Sequence, residues 1–298
     1  MRKSIKLTCL IAIALVVGLT SFSLGDDKII VAVSIPPQVE FVQNVGGGFV
    51  DIIEMVPPYS SPETYEPTPG QMKQLSRAKV YFKIGTDLDF EINLMKKLVS
   101  INPQLLIIDC SKDIDLLAHG AAKKAEDSYK KHEHGHYDPH VWNSLRNVRV
   151  MIDNITDGLI TIDSIHKSDY LANAASYKAK LDSLDLAISD MFKNSAKRTF
   201  IVIHPAWGYF ARDYNLIELP IEAEGKEPAA ADIKNLIKTA QAQNIRTVFV
   251  SPQFNSASAE VIAREIGGVV EYIDPLNGHF LENILKTAQK IAASLKES

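Results

Sequence analysis

From residue 167 to residue 194 the chain runs without a glycine or a proline, and Leu171, Tyr177, Leu181, Leu184, Ile188 and Met191 recur at three- and four-residue spacing. Apolar side chains at that period line one face of an α-helix. At 1.5 Å per residue the helix is about 40 Å long. Read alone it is a crossover helix, but its place in the chain gives it a larger role, because a similar alternation of strands and helices lies on either side.

Short runs rich in Ile and Val predict buried strands at 29–35, 51–56, 80–84 and 105–109, and again at 199–203, 217–221, 247–250 and 269–273. Helical patterns fall between them at 69–78, 91–99, 231–242, 256–266 and 280–295. Thr68 is placed as an N-cap and Pro69 at the first helical position, where its missing N–H costs nothing. Strand–helix alternation builds parallel sheets with right-handed crossovers. The expected class is therefore α/β, with two lobes of parallel-sheet β-α units joined by one long rigid helix. The boundaries follow as an N-terminal lobe at 26–165, a linking helix at 166–196 and a C-terminal lobe at 197–298.

Residues 1–25 are expected to be a signal peptide. Arg2, Lys3 and Lys6 precede an almost wholly apolar run from 7 to 19, and Ser23-Leu24-Gly25 puts small residues at a cleavage spacing. The run is shorter than the ~20 residues that span a bilayer, and Cys9 sits too early in it for a lipidation site. Cleavage moves the formal charge from −4 to −7 and leaves Cys110 as the only cysteine. An acidic exported chain without a basic stripe is a poor nucleic-acid binder. A lone thiol makes neither an intramolecular disulfide nor a thiolate metal site, so imidazole and carboxylate are the ligands left.

Those ligands are concentrated. Within the loop expected near 119–137 and just beyond it, His132, His134, His136 and His140 supply half of the eight histidines, and a His-rich tract reads as metal-binding. In open α/β sheets ligands bind beyond the carboxyl ends of the strands. The ends of the expected strands bring up Glu63 and Glu66, His204 and Asp274, with His140 following Asp138-Pro139 at the start of a helix near Val141. Together Glu63, His140, His204 and Asp274 are two imidazoles and two carboxylates, enough for a four-ligand site on a divalent first-row metal. Taken singly, Asp274 before Pro275 also serves as a turn residue, and Asp138 either bonds an imidazole or caps the next helix. Trp142 and Trp207 are expected to pack near the cleft, and His119, His166 and His279 to lie on the surface.

Five segments then carry a resemblance. They are 56–58 leading to Pro62-Glu63-Thr64-Tyr65-Glu66-Pro67, Asp138-Pro139-His140-Val141-Trp142, Ile203-His204-Pro205-Ala206-Trp207-Gly208, Glu227-Pro228-Ala229-Ala230, and Tyr272-Ile273-Asp274-Pro275-Leu276. In this order they resemble the zinc/manganese-type substrate-binding proteins of metal ABC transporters, over essentially the whole mature chain. The resemblance implies metal capture between two lobes outside the cytoplasm, as in a periplasm, and delivery to a membrane permease with a separate ATPase. It implies Glu63, His140, His204 and Asp274 as ligands, with Asp138 and Glu227 behind them. His132, His134 and His136 are expected to form an accessory metal loop, and the protein is expected to be monomeric. Zn²⁺ is the expected metal because His204 and the His-rich loop match zinc-type members, with Mn²⁺ or Fe²⁺ as alternatives. Glu63 departs from the family pattern, which has His there. A site of His140, His204, Asp274 and water stays open on that account. A metallohydrolase is the competing class, but the chain has no His-Glu-x-x-His helix, nucleophile elbow or P-loop. No catalysis is expected.

Overall fold

A computed structural model describes residues 28–86, 88–118, 137–222 and 229–296. The expected signal segment with Cys9, the loop histidines His119, His132, His134 and His136, and Glu227 lie outside the described residues. Among the described residues no helix is long and apolar enough to cross a membrane.

The first lobe is built from β1 (Ile29–Val33), α1 (Pro36–Gly46), β2 (Val50–Glu54), α2 (Pro69–Leu75), β3 (Val80–Lys83), α3 (Asp89–Ile101), β4 (Leu106–Asp109) and α4 (Leu145–Ile162). The spine α5 (Lys167–Phe192) follows. The second lobe contains β5 (Thr199–Val202), α6 (Gly208–Asp213), β6 (Ile217–Pro220), α7 (Ala230–Ala242), β7 (Thr247–Val250), α8 (Ala257–Glu265), β8 (Val269–Tyr272) and α9 (Phe280–Ser294). All strand pairs are parallel, in the orders β2-β1-β3-β4 and β6-β5-β7-β8. In this order the connections run to opposite sides of the first strand. Crevices therefore open at the carboxyl ends of β1 and β3, and of β5 and β7.

Side chains alternate across each strand, and the two faces lead to different cores. Val31, Val33, Val80 and Phe82 of the first sheet, and Phe200, Val202 and Phe249 of the second, share one cluster with α4, α5, α6 and α9. The other faces form separate clusters, with Ala32 and Tyr81 against α2 and α3, and Ile201, Ile203, Val248 and Val250 against α7 and α8. The lobes are thus fused through a common core. Phe41 of α1 meets Phe280 of α9 edge-on at 4.9 Å between ring centroids, beside Tyr177 of the spine. Each Phe buried there stabilises by about 1.5–3 kcal/mol.

One expectation needs correction and another refinement. The buried face of α5 is Tyr170, Ala174, Tyr177, Leu181, Ile188 and Phe192, so Leu171, expected in the stripe, is 48% exposed. The true stripe starts one residue earlier, at Tyr170, which with Ala174 continues the spacing back from Tyr177. The helix expected to begin near Val141 does start there, but as a single 3₁₀ turn, Val141–Asn143, and the α-helix proper, α4, comes four residues later. Its N-cap is Ser144, whose Oγ accepts from Asn147 N at 3.0 Å. Thr68 does cap α2: its Oγ1 accepts from Gln71 N at 3.2 Å, while Gln71 Oε1 accepts from Thr68 N at 2.9 Å.

Candidate metal centre

The 3₁₀ turn matters because it carries His140 into the cleft and bolts the lobes together on either side of it. Trp142 Nε1 donates to Pro275 O at 2.7 Å, and Asn143 Nδ2 to Ala206 O at 2.8 Å. Upstream, Thr86 Oγ1 donates to Pro139 O at 3.1 Å. His204 stands two residues past β5, in a turn held by Glu218 of β6, whose Oε1 accepts from Trp207 N at 2.9 Å. Glu63 lies in the loop between β2 and α2. Gln71 braces that loop, with Nε2 donating to Met55 O at 2.7 Å and Oε1 accepting from Tyr65 OH at 2.7 Å.

Three donor groups converge. His204 Nε2 is 3.3 Å from His140 Nε2 and 3.2 Å from Glu63 Oε1. One ligand atom from each of the three residues lies within 4.8 Å of the other two. Each imidazole also has a carboxylate at its far nitrogen. Asp138 Oδ1 lies 2.8 Å from His140 Nδ1 and accepts from His140 N at 2.9 Å. Glu222 Oε2 lies 3.4 Å from His204 Nδ1. A carboxylate only accepts, so Asp138 draws the His140 ring proton to Nδ1 and turns its Nε2 inward as a lone pair, while His204 has a carboxylate at each nitrogen, Glu222 at Nδ1 and Glu63 at Nε2. Two lone pairs 3.3 Å apart repel unless a proton or a cation lies between them.

The electrostatics show how the metal-free site answers this. Burial pushes the His204 pKa down, but hydrogen bonds to Glu222 and Glu63, and the charges of both, outweigh it and hold the imidazole up at about 9. A cation received between these groups would compete with that proton. Glu218 is pushed up to about 8, chiefly by burial and also by the charge of Asp138, against the backbone N–H groups of Trp207 and Ala206. Gly208 fits between these two carboxyl groups, since a Cβ there would sit 2.7 Å from Asp138 Oδ2 and 3.7 Å from Glu218 Oε2.

The cavity beside the donors, partly open to solvent, is lined by Pro62, Glu63, His140, Trp142, His204, Gln253, Phe254 and Leu276 among others, and has a volume of about 20 Å³. Roughly 10–15 Å³ holds one water, whereas organic ligands occupy about 300–1,000 Å³. The space suits an ion with little accompanying water rather than an organic ligand. The Phe254 ring stacks on His204 at 4.5 Å and 19°.

Of the residues expected from sequence, Glu63, His140 and His204 are brought together, and Asp138 bonds an imidazole rather than capping α4. Asp274 is outside the close triad. Its Oδ1 accepts from Leu276 N and from Gln253 Nε2, each at 2.9 Å, while Pro275 and Leu276 beside it line the cavity. Glu222 and Gln253 were missed. Both follow strand ends, β6 and β7, so the rule that found His204 reaches them too; neither stands next to a recognisable motif. His166, expected on the surface, is part-buried, with Nδ1 2.6 Å from Asp163 Oδ2 and its ring stacked on Phe49.

With this geometry in hand, comparison with known proteins is informative. Residues 31–296 match the model of a family described as "Zinc-uptake complex component A periplasmic". The high-affinity zinc uptake system protein ZnuA of Bacillus subtilis is 29% identical over 255 residues, covering 85% of this chain and 80% of that protein. The zinc-binding protein AdcA of Streptococcus pyogenes serotype M1 is 26% identical over 277 residues, and the chain, 89% covered, spans only about half (54%) of that relative's length. A solved ZnuA crystal structure is 38% identical, with a TM-score of 0.83 over 91% of this chain and 100% of that one. A zinc-bound deletion variant of ZnuA, also 38% identical, superposes with a TM-score of 0.84 over the same shares.

Proposed function

The chain belongs to the family of periplasmic zinc-uptake components, and from that premise we propose that it captures Zn²⁺ between its lobes and delivers it to the permease of an ABC transporter powered by a separate ATPase. The observation that carries this reading is the convergence of Glu63 and two inward-turned imidazoles on a cavity of about 20 Å³. Imidazole nitrogen with carboxylate oxygen is a ligand set for zinc. The cavity size disfavours a chelated metal or an organic cargo. The protein works outside the cytoplasm as a monomer and is not a catalyst, and Mn²⁺ or Fe²⁺ is the weaker alternative cargo.

His140, His204 and Glu63 are the first three ligands and Asp274 the fourth. The turn and Gln253 engage Asp274 Oδ1, which leaves Oδ2 for the ion. Asp138 and Glu222 orient the imidazoles. Because the lobes share a core and cross-lobe hydrogen bonds, loading is expected to move loops more than lobes. The decisive experiment is competition among Zn²⁺, Mn²⁺ and Fe²⁺ for the metal-free protein, followed by X-ray absorption to count nitrogen and oxygen neighbours. Two nitrogens and a marked preference for zinc are expected; a protein that retains none of the three metals would end the reading. Glu63→Ala is expected to weaken zinc binding, and unchanged affinity would remove Glu63 from the ligand set. His132, His134 and His136 collect metal more weakly, so deleting residues 131–136 is expected to spare the tight site.

A further inference from the structure

Gln253 follows β7 and lines the metal cavity. Its Nε2 donates to Asp274 Oδ1 at 2.9 Å. A carboxylate has no hydrogen to give, so this contact fixes the amide orientation with nitrogen toward Asp274. The consequence falls on the other atom. Gln253 Oε1 is buried and has no hydrogen-bond partner. A buried carbonyl oxygen left unpaired is costly, and such a group in a native fold calls for a partner that completes it. Here the orphan belongs to a wall of the cavity where the ion is received.

We propose that Gln253 is a positioning and specificity-determining residue of the zinc site: its N–H group holds Asp274 in place, and its Oε1 accepts a hydrogen bond from one water carried on the bound metal. This rests on the zinc-capture reading above. The space is sufficient, since about 20 Å³ admits an ion and one water. The chemistry also fits, because a metal-bound water is a stronger donor than free water, and an amide oxygen receives it without adding negative charge to the two carboxylates already present. The neutral oxygen bears on selectivity. A carboxylate at this position would compete with that water as a charged hard ligand and favour cations such as Mn²⁺, whereas the neutral amide leaves the position to the water. Partners of this kind behind a metal are typically worth about 10- to 100-fold in affinity.

The test compares wild type, Gln253→Met, Gln253→Glu and His204→Ala in the full chain. Zn²⁺ and Mn²⁺ affinities are measured by chelator competition, melting by calorimetry without metal, and zinc neighbours by X-ray absorption. Gln253→Met, of similar length but unable to accept or donate, is expected to lose roughly tenfold in zinc affinity. It should keep both histidine neighbours, lose one oxygen neighbour and melt normally without metal. Gln253→Glu is expected to narrow the preference for Zn²⁺ over Mn²⁺. Wild-type zinc affinity in Gln253→Met would overturn the proposal, as would a loss of affinity accompanied by a lower metal-free melting temperature, which marks a merely structural role. Tight zinc binding by His204→Ala would instead overturn the zinc-site reading beneath it, so the two failures are distinguishable.

Discussion

The two lobes repeat one strand order but treat the crevice that it creates in opposite ways. In the first lobe the gap between the ends of β1 and β3 is plugged by Glu91 of α3. Its Oε1 accepts from Ser34 Oγ and Ile84 N, and its Oε2 from Gly85 N at 3.0 Å, while Tyr81 OH meets Ser34 Oγ at 2.6 Å. Burial pushes Glu91 up to about 6 against these hydrogen bonds. In the second lobe the equivalent gap is open, with His204 after β5 and Gln253 after β7 at the cavity. The first lobe reaches the site instead through long connections, the β2–α2 loop with Glu63 and the segment before α4 with His140. The edge strands leave the sheets in the same way, since Val56 N donates to Ser34 O as Glu222 N does to Ile203 O, but the first lobe has an apolar residue there and supplies its carboxylate, Glu63, from farther along the loop. Equivalent topology therefore offers equivalent places, and the side chains decide which place is sealed and which receives a ligand.

Four expected outcomes probe that division. The largest is on binding: His204→Ala should lower zinc affinity at least 100-fold with little effect on folding, as measured by chelator competition beside thermal melting. A comparable loss of stability would make the open crevice as structural as the sealed one. Next, Glu91→Ala should cost about 3 kcal/mol of folding free energy, because it strands a buried hydroxyl and two backbone N–H groups. Denaturant unfolding measures this, and a variant as stable as wild type would refute the plug.

The third is the pH dependence, and its sign differs between unloaded and loaded protein. The folded His204 pKa of about 9 lies above its ordinary 6.5. In the metal-free protein this group contributes stability that is fully present below about 6.5 and lost as pH rises through about 9. Zinc must displace the same proton, so zinc affinity should fall as pH drops below about 9, up to about tenfold per unit for one proton released. A titration of affinity from pH 9 to 6 checks it; a flat profile would mean that His204 carries no proton to displace. The smallest is Glu222→Gln. At 3.4 Å from His204 Nδ1 the contact is long, so a loss near tenfold, the low end for such partners, is expected. The same change should also lower the pH at which the affinity begins to fall.

Much of the architecture was legible in the chain. Each of the eight expected strands overlaps a strand of the structure to within a few residues, because β-branched runs bounded by turn residues form a local signal. The spine was read from its length, though Tyr170 and not Leu171 faces the core. Glu63, His140 and His204 were found because strand ends are where α/β proteins place ligands and because short motifs flank them. Glu222 and Gln253 have no such flanks, and their importance arises only from what packs opposite.

What the sequence determined by itself is thus the period of each segment, the α/β class and the inventory of imidazole and carboxylate. Backbone sterics and hydrophobic alternation act over a few residues, and they write themselves into the local pattern. The tertiary structure alone decided that Glu91 closes one crevice while its counterpart stays open. It likewise decided that both imidazoles turn Nε2 inward and that Gln253 Oε1 is left without a partner. Those are matters of distances between groups up to 141 residues apart in number, as Glu63 and His204 are, and they exist only once burial has removed the water that would otherwise satisfy each group separately.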